Sequence, residues 1–386
     1  MSVIPNAVFE VDLAAVEFNY RHAQMIAGKP TEIAAVVKSD AYGLGLVKVA
    51  TALSQAGCNL FFVANMEEAL ELRSAGLDGQ IVVFSGDLVK FRETYKKENL
   101  TAVVNCKEDL EACLQAHERF PYFLNIETGF SRFGLSIECL RDLKASKVFR
   151  RAPPSCVFSH LACSDNVHDL ANKQQRDRFI AAAKMFPQAR RSLSASAGLW
   201  LGRSYHFDIA RVGSALYGMN NARIYPNPLQ SVVRLRAPLV QTKNIPHRQS
   251  VGYSATFRTR RETRLGIVGI GYKHGLPWGC ANKLNVKIGQ YFAPVVGRIS
   301  MEFTTVDLTD VPESARERGC AVDFLYDEFG IDELAAAAGV NSQEVTIRLG
   351  ASCQRLYRER PIDWGVVASI VGRKRPDTGS LIERVA

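Results

Sequence analysis

No Cys-x-x-Cys pair occurs in this sequence, and its nine cysteines are odd in number and scattered. That pattern excludes a disulfide framework and suits reduced thiols in a cytoplasm. No run of about 18 apolar residues is present, so no segment reads as a membrane-spanning helix. The opening residues, Met1-Ser2-Val3-Ile4-Pro5, lack the charged-then-apolar pattern of a secretion leader. Internal repeats and low-complexity tracts are also missing. Lysine and arginine outnumber the acids, 48 to 39, for a net charge of +9. The basic clusters Arg258-Thr259-Arg260-Arg261, Arg190-Arg191 and Arg373-Lys374-Arg375 have no stacking aromatics spaced between the cations. They read as a solvated basic surface that attracts small anions, not as a nucleic-acid interface.

With 47% hydrophobic and 23% charged residues, the 386-residue chain is globular and long enough for two domains. Apolar runs at 32–37, 60–63, 81–84, 102–105, 122–126, 156–159, 192–195 and 208–212 predict eight strands. Between them, apolar residues at three- and four-residue spacing predict helices, for example over 47–55, 66–74, 107–117 and 174–185. Strand and helix in alternation imply a parallel sheet with helices outside. Eight such units in series fit a closed (β/α)8 barrel, a TIM-type α/β fold, over residues 1–230. After 230 the texture changes to short strands at 231–235, 265–270, 284–288 and 304–307, with one helical interruption near 331–338. Residues 231–386 therefore read as a second, mainly β domain.

Catalytic side chains in such a barrel sit at the carboxyl ends of the strands. Ala34-Ala35-Val36-Val37 is an apolar strand that ends in Lys38, followed by a turn with Gly43 and Gly45. A lysine partly shielded from water has its charged form disfavoured and its amine made nucleophilic. A Schiff base with an aldehyde cofactor requires such an amine. Taken alone, a strand–lysine–turn pattern is more often a lysine snorkelling at a strand end. The longer string Val36-Val37-Lys38-Ser39-Asp40-Ala41-Tyr42-Gly43-Leu44-Gly45, however, closely resembles the pyridoxal 5′-phosphate (PLP) lysine signature of alanine racemases. The resemblance runs from Phe9 to about Tyr357. It implies a fold-type III PLP enzyme that interconverts L- and D-alanine and supplies D-alanine for cell-wall peptidoglycan. It also implies a head-to-tail homodimer in which each site joins barrel residues of one subunit to β-domain residues of the other.

The cofactor's phosphate needs donors, and backbone N–H groups at a helix start can supply them. Gly213 and Ser214, after the eighth strand, offer a close backbone approach and a hydroxyl. The family resemblance adds Ser196 and Tyr42 as phosphate ligands. Without it these residues form an ordinary Gly/Ser turn with a tyrosine on its rim. Arg211 bears on the reaction type. A guanidinium only donates, so a pyridine nitrogen facing it must be unprotonated and is a poor electron sink. That favours return of a proton to Cα over transamination. The plainer alternative pairs Arg211 with Asp208 on the surface. His160, at the end of the sixth strand, corresponds to a family histidine that packs on the cofactor ring.

Racemisation removes a proton from one face of Cα and returns one to the other, which two fixed bases accomplish without moving. The resemblance assigns these roles to Lys38 and to Tyr253 of the partner subunit. An unperturbed phenol has a pKa of ~10, so Tyr253 needs nearby cations, for which His160 and Arg211 are the candidates. It also assigns Arg132 to the substrate carboxylate, the backbone N–H of Met301 to the same group, and Tyr272 to the access channel; Met301 and Tyr272 otherwise read as core packing. No metal is implied. The match weakens at Asn125, where many members carry a lysine, and at Glu127, where aspartate is usual. It weakens again at Ala195 in place of asparagine, at Glu302 in place of aspartate, and around Cys353, where relatives often place a phosphate-binding tyrosine. Two alternatives remain: another fold-type III PLP enzyme with broader amino-acid specificity, and a non-catalytic PLP-binding protein.

Overall fold

A computed structural model describes residues 6–114, 121–145, 149 and 153–358. Eight parallel strands close into a barrel in chain order. They are Glu32–Val36, Leu60–Val63, Gln80–Val83, Leu100–Val104, Tyr122–Asn125, Cys156–Phe158, Arg190–Ala195 and Ile209–Val212. The last pairs back onto the first, Ala34 opposite Arg211. Every predicted barrel strand is present, displaced by at most two residues at an end, whereas the strand expected at 231–235 runs on to Ile245.

The two-residue period of a strand explains why these runs are apolar throughout. Ala34, Val36, Leu60, Phe62, Val82, Val103, Phe123 and Phe158 point inward and fill the barrel. Their neighbours Ile33, Ala35, Phe61, Val63, Val83 and Val104 point outward into the layer shared with the helices. Phe62 packs edge-on to Phe123, ring centroids 5.8 Å apart, so the barrel is a plugged core and not a pore. Helices Leu46–Gln55, Met66–Ser74, Lys107–Leu114 and Leu170–Ala183 stand where periodicity predicts them. Residues 115–117 of the third predicted helix lie outside the described residues. Helix Leu13–Ala27, not predicted, starts on the Asp12 carboxylate, which accepts the Ala15 N–H at 3.1 Å.

After the barrel the chain builds a mainly β unit around the 13-residue strand Val233–Ile245. Strands Thr263–Val268, Asn285–Ile288, Tyr291–Pro294, Thr304–Asp307 and Ala321–Leu325 extend this sheet. Strand Val8–Asp12, from the start of the chain, also belongs to it. It lies antiparallel to Val233–Ile245 on one side and parallel to Gln354–Arg358 on the other. The helix Ile331–Ala338 is present as predicted, and a second, Ser342–Ser352, follows it unpredicted.

Surface ion pairs engage members of two of the basic clusters: Arg190 with Glu32 at 2.6 Å, Arg191 with Asp208 at 3.2 Å, and Arg261 with Asp310 at 2.5 Å. The cluster at 373–375 lies outside the described residues. All nine cysteines are free. Among the described residues no helix is long and apolar enough to cross a membrane.

Candidate active site

Lys38 stands at the carboxyl mouth of the barrel, two residues beyond the first barrel strand. The next four residues, Ser39, Asp40, Ala41 and Tyr42, all have φ between 50° and 59° and form a left-handed turn. Left-handed backbone costs an L-residue roughly 1–2 kcal/mol, so four in succession hold only if their surroundings fix them. Glu68 grips the turn from the barrel side, one oxygen accepting the Asp40 N–H at 3.0 Å and the other the Ala64 N–H at 2.7 Å. Gly43 closes the turn against helix Ser342–Ser352. Contact is so close that a Cβ on Gly350 would lie 1.7 Å from the Gly43 carbonyl oxygen. The sequence promised a glycine-rich turn here; its handedness has little sequence signal, since of Ser, Asp, Ala and Tyr only Asp tolerates the left-handed region well.

The Lys38 amine is half-buried and sits 5.6 Å from the centre of the Phe84 ring. Burial and the nearby Arg132 guanidinium lower its pKa below the ordinary lysine value, against a smaller opposing pull from Glu68. Lys38, Tyr42, Arg132, His160, Ser196, Arg211, Gly213 and Ser214 line one cavity of about 460 Å³.

Arg211 is fully buried on the last barrel strand. It donates to Ser192 Oγ at 2.6 Å and to the Ser159 carbonyl at 2.7 Å, and it lies 3.4 Å from His160 Nδ1. No carboxylate forms an ion pair with it among the described residues; Asp208 binds Arg191 instead. Burial lowers its pKa to about 10, which leaves it a cation at neutral pH. Because a guanidinium has only donors, His160 Nδ1 must be an acceptor and its proton resides on Nε2. Burial, then Arg211, Arg132 and Lys38, push the His160 pKa down to about 3. His160 is therefore neutral and supplies no charge to a neighbouring phenol. The expectation that it acts as a cation is corrected here; Arg211 alone of that pair remains charged.

Strand ends Arg190–Ala195 and Ile209–Val212 bring Ser196 and Gly213 together. Ser196 Oγ accepts the N–H of Gly213 at 3.0 Å and of Ala215 at 3.2 Å, which leaves its own proton to donate into the cavity. The helical start expected after Gly213 is only a short 3-10 turn, Ser214–Tyr217. Gly213 is required by space: a Cβ there would meet the Tyr42 hydroxyl at 2.7 Å.

Arg132 lies over the Phe130 ring, 4.4 Å from its centre, and Phe130 meets His160 edge-on at 5.2 Å. Glu127, an apparent departure, has a local task. Its carboxylate accepts the N–H groups of Gly129, Phe130 at 2.8 Å and Ser131 at 2.9 Å, and so shapes the loop that presents Arg132. Asn125 donates to Asn105 Oδ1 at 2.9 Å, and Asn105 in turn to the Phe84 carbonyl at 3.0 Å. Behind the loop, buried Gln175 donates to the His160 carbonyl at 2.9 Å and accepts the Ala162 N–H at 2.8 Å. Ser159, Ser192, Glu68 and Gln175 were missed from sequence because each acts through a partner far along the chain.

Tyr253, Tyr272 and Met301 do not line the cavity of their own chain. They lie on the β unit with Tyr253 67% and Met301 55% exposed. Tyr272 and Met301 are adjacent, because the Tyr272 N–H donates to the Ser300 carbonyl at 3.1 Å and the Lys273 N–H to the Met301 carbonyl at 2.9 Å.

A shielded lysine and a buried arginine share one cavity at the carboxyl mouth of a parallel barrel, the end at which barrel enzymes carry their active sites. Residues 11–221 match the family description "Alanine racemase, N-terminal domain" and residues 232–357 "Alanine racemase, C-terminal domain". The chain belongs to the alanine racemase family and is an isomerase. It is 50% identical over 352 residues to "Alanine racemase 3" of Mesorhizobium japonicum, covering 91% of each chain. It is 35% identical to an alanine racemase of Rhodospirillum rubrum, covering 91% of this chain and 96% of that one. The crystal structure of alanine racemase from Bartonella henselae with covalently bound pyridoxal phosphate superposes with a TM-score of 0.85 at 32% identity. That match covers 92% of this chain and 99% of the other.

Proposed function

We propose that the chain racemises alanine, or a similarly small amino acid, with PLP attached to Lys38, as a cytoplasmic homodimer with shared active sites that supplies D-alanine for peptidoglycan. The observation that carries this reading is the buried Arg211 cation, paired with no carboxylate among the described residues, in the same cavity as a partly buried lysine of lowered pKa. The residues present fit the cofactor. Ser196, Ser214, Tyr42 and the space left by Gly213 suit its phosphate, and Arg211 suits an unprotonated pyridine nitrogen. When bound, PLP supplies an electron sink that acidifies the Cα–H of an amino acid attached to it.

The protein's own groups then do the following. Arg132 binds the substrate carboxylate, its guanidinium steered by the Phe130 face and the Glu127-capped loop. Lys38 Nζ, its pKa lowered by burial, takes or gives the proton on one face of Cα. Tyr253 of the partner subunit does the same on the other face. Tyr272 and Met301 of the partner subunit narrow the approach, and the Met301 N–H assists with the carboxylate. The exposure of all three, and their absence from the cavity of their own chain, supports their acting on a second subunit.

Incubation with L- or D-alanine in heavy water tests the activity. Deuterium should enter Cα with inversion from either enantiomer, whereas binding of PLP and alanine without exchange would reduce the chain to a carrier. The Glu127 assignment makes a narrower claim. Glu127→Ala should raise KM for alanine about tenfold and leave kcat within roughly threefold, because it loosens a loop that holds substrate and does not touch the bases. Steady-state kinetics in both directions checks the split.

A further inference from the structure

The left-handed turn that carries Lys38 is gripped from a second side by the far end of the same chain. Arg355, on strand Gln354–Arg358, pairs with Asp40 Oδ2 and donates to the Gly43 carbonyl at 3.3 Å. Asp40 spends its other oxygen on the Leu46 N–H, at 2.7 Å, which anchors the start of helix Leu46–Gln55. Two residues further on, Tyr357 lies against Gly45 so closely that a Cβ there would meet the phenol oxygen at 2.0 Å. One carboxylate thus ties together the turn, the next helix and strand Gln354–Arg358. Arg355 is half-buried, and its strand is fixed by parallel pairing with Val8–Asp12, so the guanidinium is held where it stands.

We propose that Arg355, acting through Asp40, is a positioning residue for Lys38 and Tyr42: it holds the turn in its left-handed form, so that amine and phenol reach the cofactor together. The argument is geometric. Ser39 to Tyr42 would relax toward ordinary backbone if released. Such relaxation rotates Lys38 and Tyr42 relative to one another, because they bracket the turn. Within the turn Glu68 holds only the Asp40 N–H, its other oxygen being taken by Ala64 outside it. Arg355 holds the Asp40 side chain and the Gly43 carbonyl, and so fixes the far half. The proposal rests on the reading that PLP is attached to Lys38, and it deepens that reading by assigning the C-terminal strand a task in its own subunit's site.

The test uses the full chain, stripped of PLP and titrated with it, with absorbance of the lysine-bound cofactor as readout. Arg355→Gln should weaken PLP binding about tenfold, the worth of one charge-assisted hydrogen bond, and lower kcat. KM for alanine should stay within about twofold, because Arg132 is untouched. Arg355→Lys should recover most of the affinity. Asp40→Asn keeps an acceptor for Leu46 and should reproduce the loss, and the double variant should be no worse than either single one. Wild-type affinity and kcat in Arg355→Gln, or additive losses in the double variant, would overturn the proposal. If Arg355→Gln fails to fold, Arg355→Lys and Asp40→Asn decide by the same criteria. Failure of the parent reading looks different: the wild-type protein itself would carry no reducible PLP on Lys38.

Discussion

A Lys38→Ala variant is expected to lose alanine racemisation by roughly 10⁴-fold or more, because one substitution removes both the covalent anchor and one of the two bases. Borohydride reduction should trap a pyridoxyl group on Lys38 of the wild-type protein and none on the variant, as read by peptide mapping. PLP should still bind the variant, more weakly, since Ser196, Ser214, Tyr42 and Arg211 remain. Added methylamine should restore part of the deprotonation step, since the cavity of about 460 Å³ has room for a small amine where the side chain was. A variant with wild-type turnover would remove Lys38 from the scheme altogether.

The second large effect concerns Tyr253. Tyr253→Phe should retain its yellow cofactor yet racemise about 10²–10⁴-fold more slowly, the usual worth of a positioned acid–base group. If Tyr253 serves the other subunit, mixing two dead proteins should revive activity. A dimer of one Lys38→Ala chain and one Tyr253→Phe chain has one site with both defects and one with none. Random reassortment gives half mixed dimers, so about a quarter of wild-type activity should return. Subunits exchanged to equilibrium and still inactive would place Tyr253 in its own chain's site.

The barrel was legible in the sequence because its strands are buried on both faces. Runs such as Leu60-Phe61-Phe62-Val63 leave little choice of structure, and the interior and exterior sets separate cleanly in space. Lys38, Arg132, His160 and Arg211 were legible through family motifs, and they converge on one cavity. Harder to see was anything made by pairing distant segments. Helix Ser342–Ser352 escaped notice because its helical face is interrupted by polar residues and its packing partner is a turn some 300 residues earlier. The charge of His160 was misjudged for a related reason: its titration is set first by burial and then by Arg211, Arg132 and Lys38, three cations brought in from other segments of the chain. Glu127 looked like a lapse from the usual aspartate, and only its three backbone partners reveal its use.

Strand Val8–Asp12 has its neighbours at 233–245 and 354–358, which bears on how the protein comes into being. Synthesised more than 200 residues before its first partner and more than 300 before its second, this segment has its edges open while the barrel is being made. Severing the polypeptide near residue 230 would strand it in the fragment that lacks both companions. This strand thus acts as a late-closing clasp, and its deletion should disturb assembly of the β unit more than of the barrel that directly follows it.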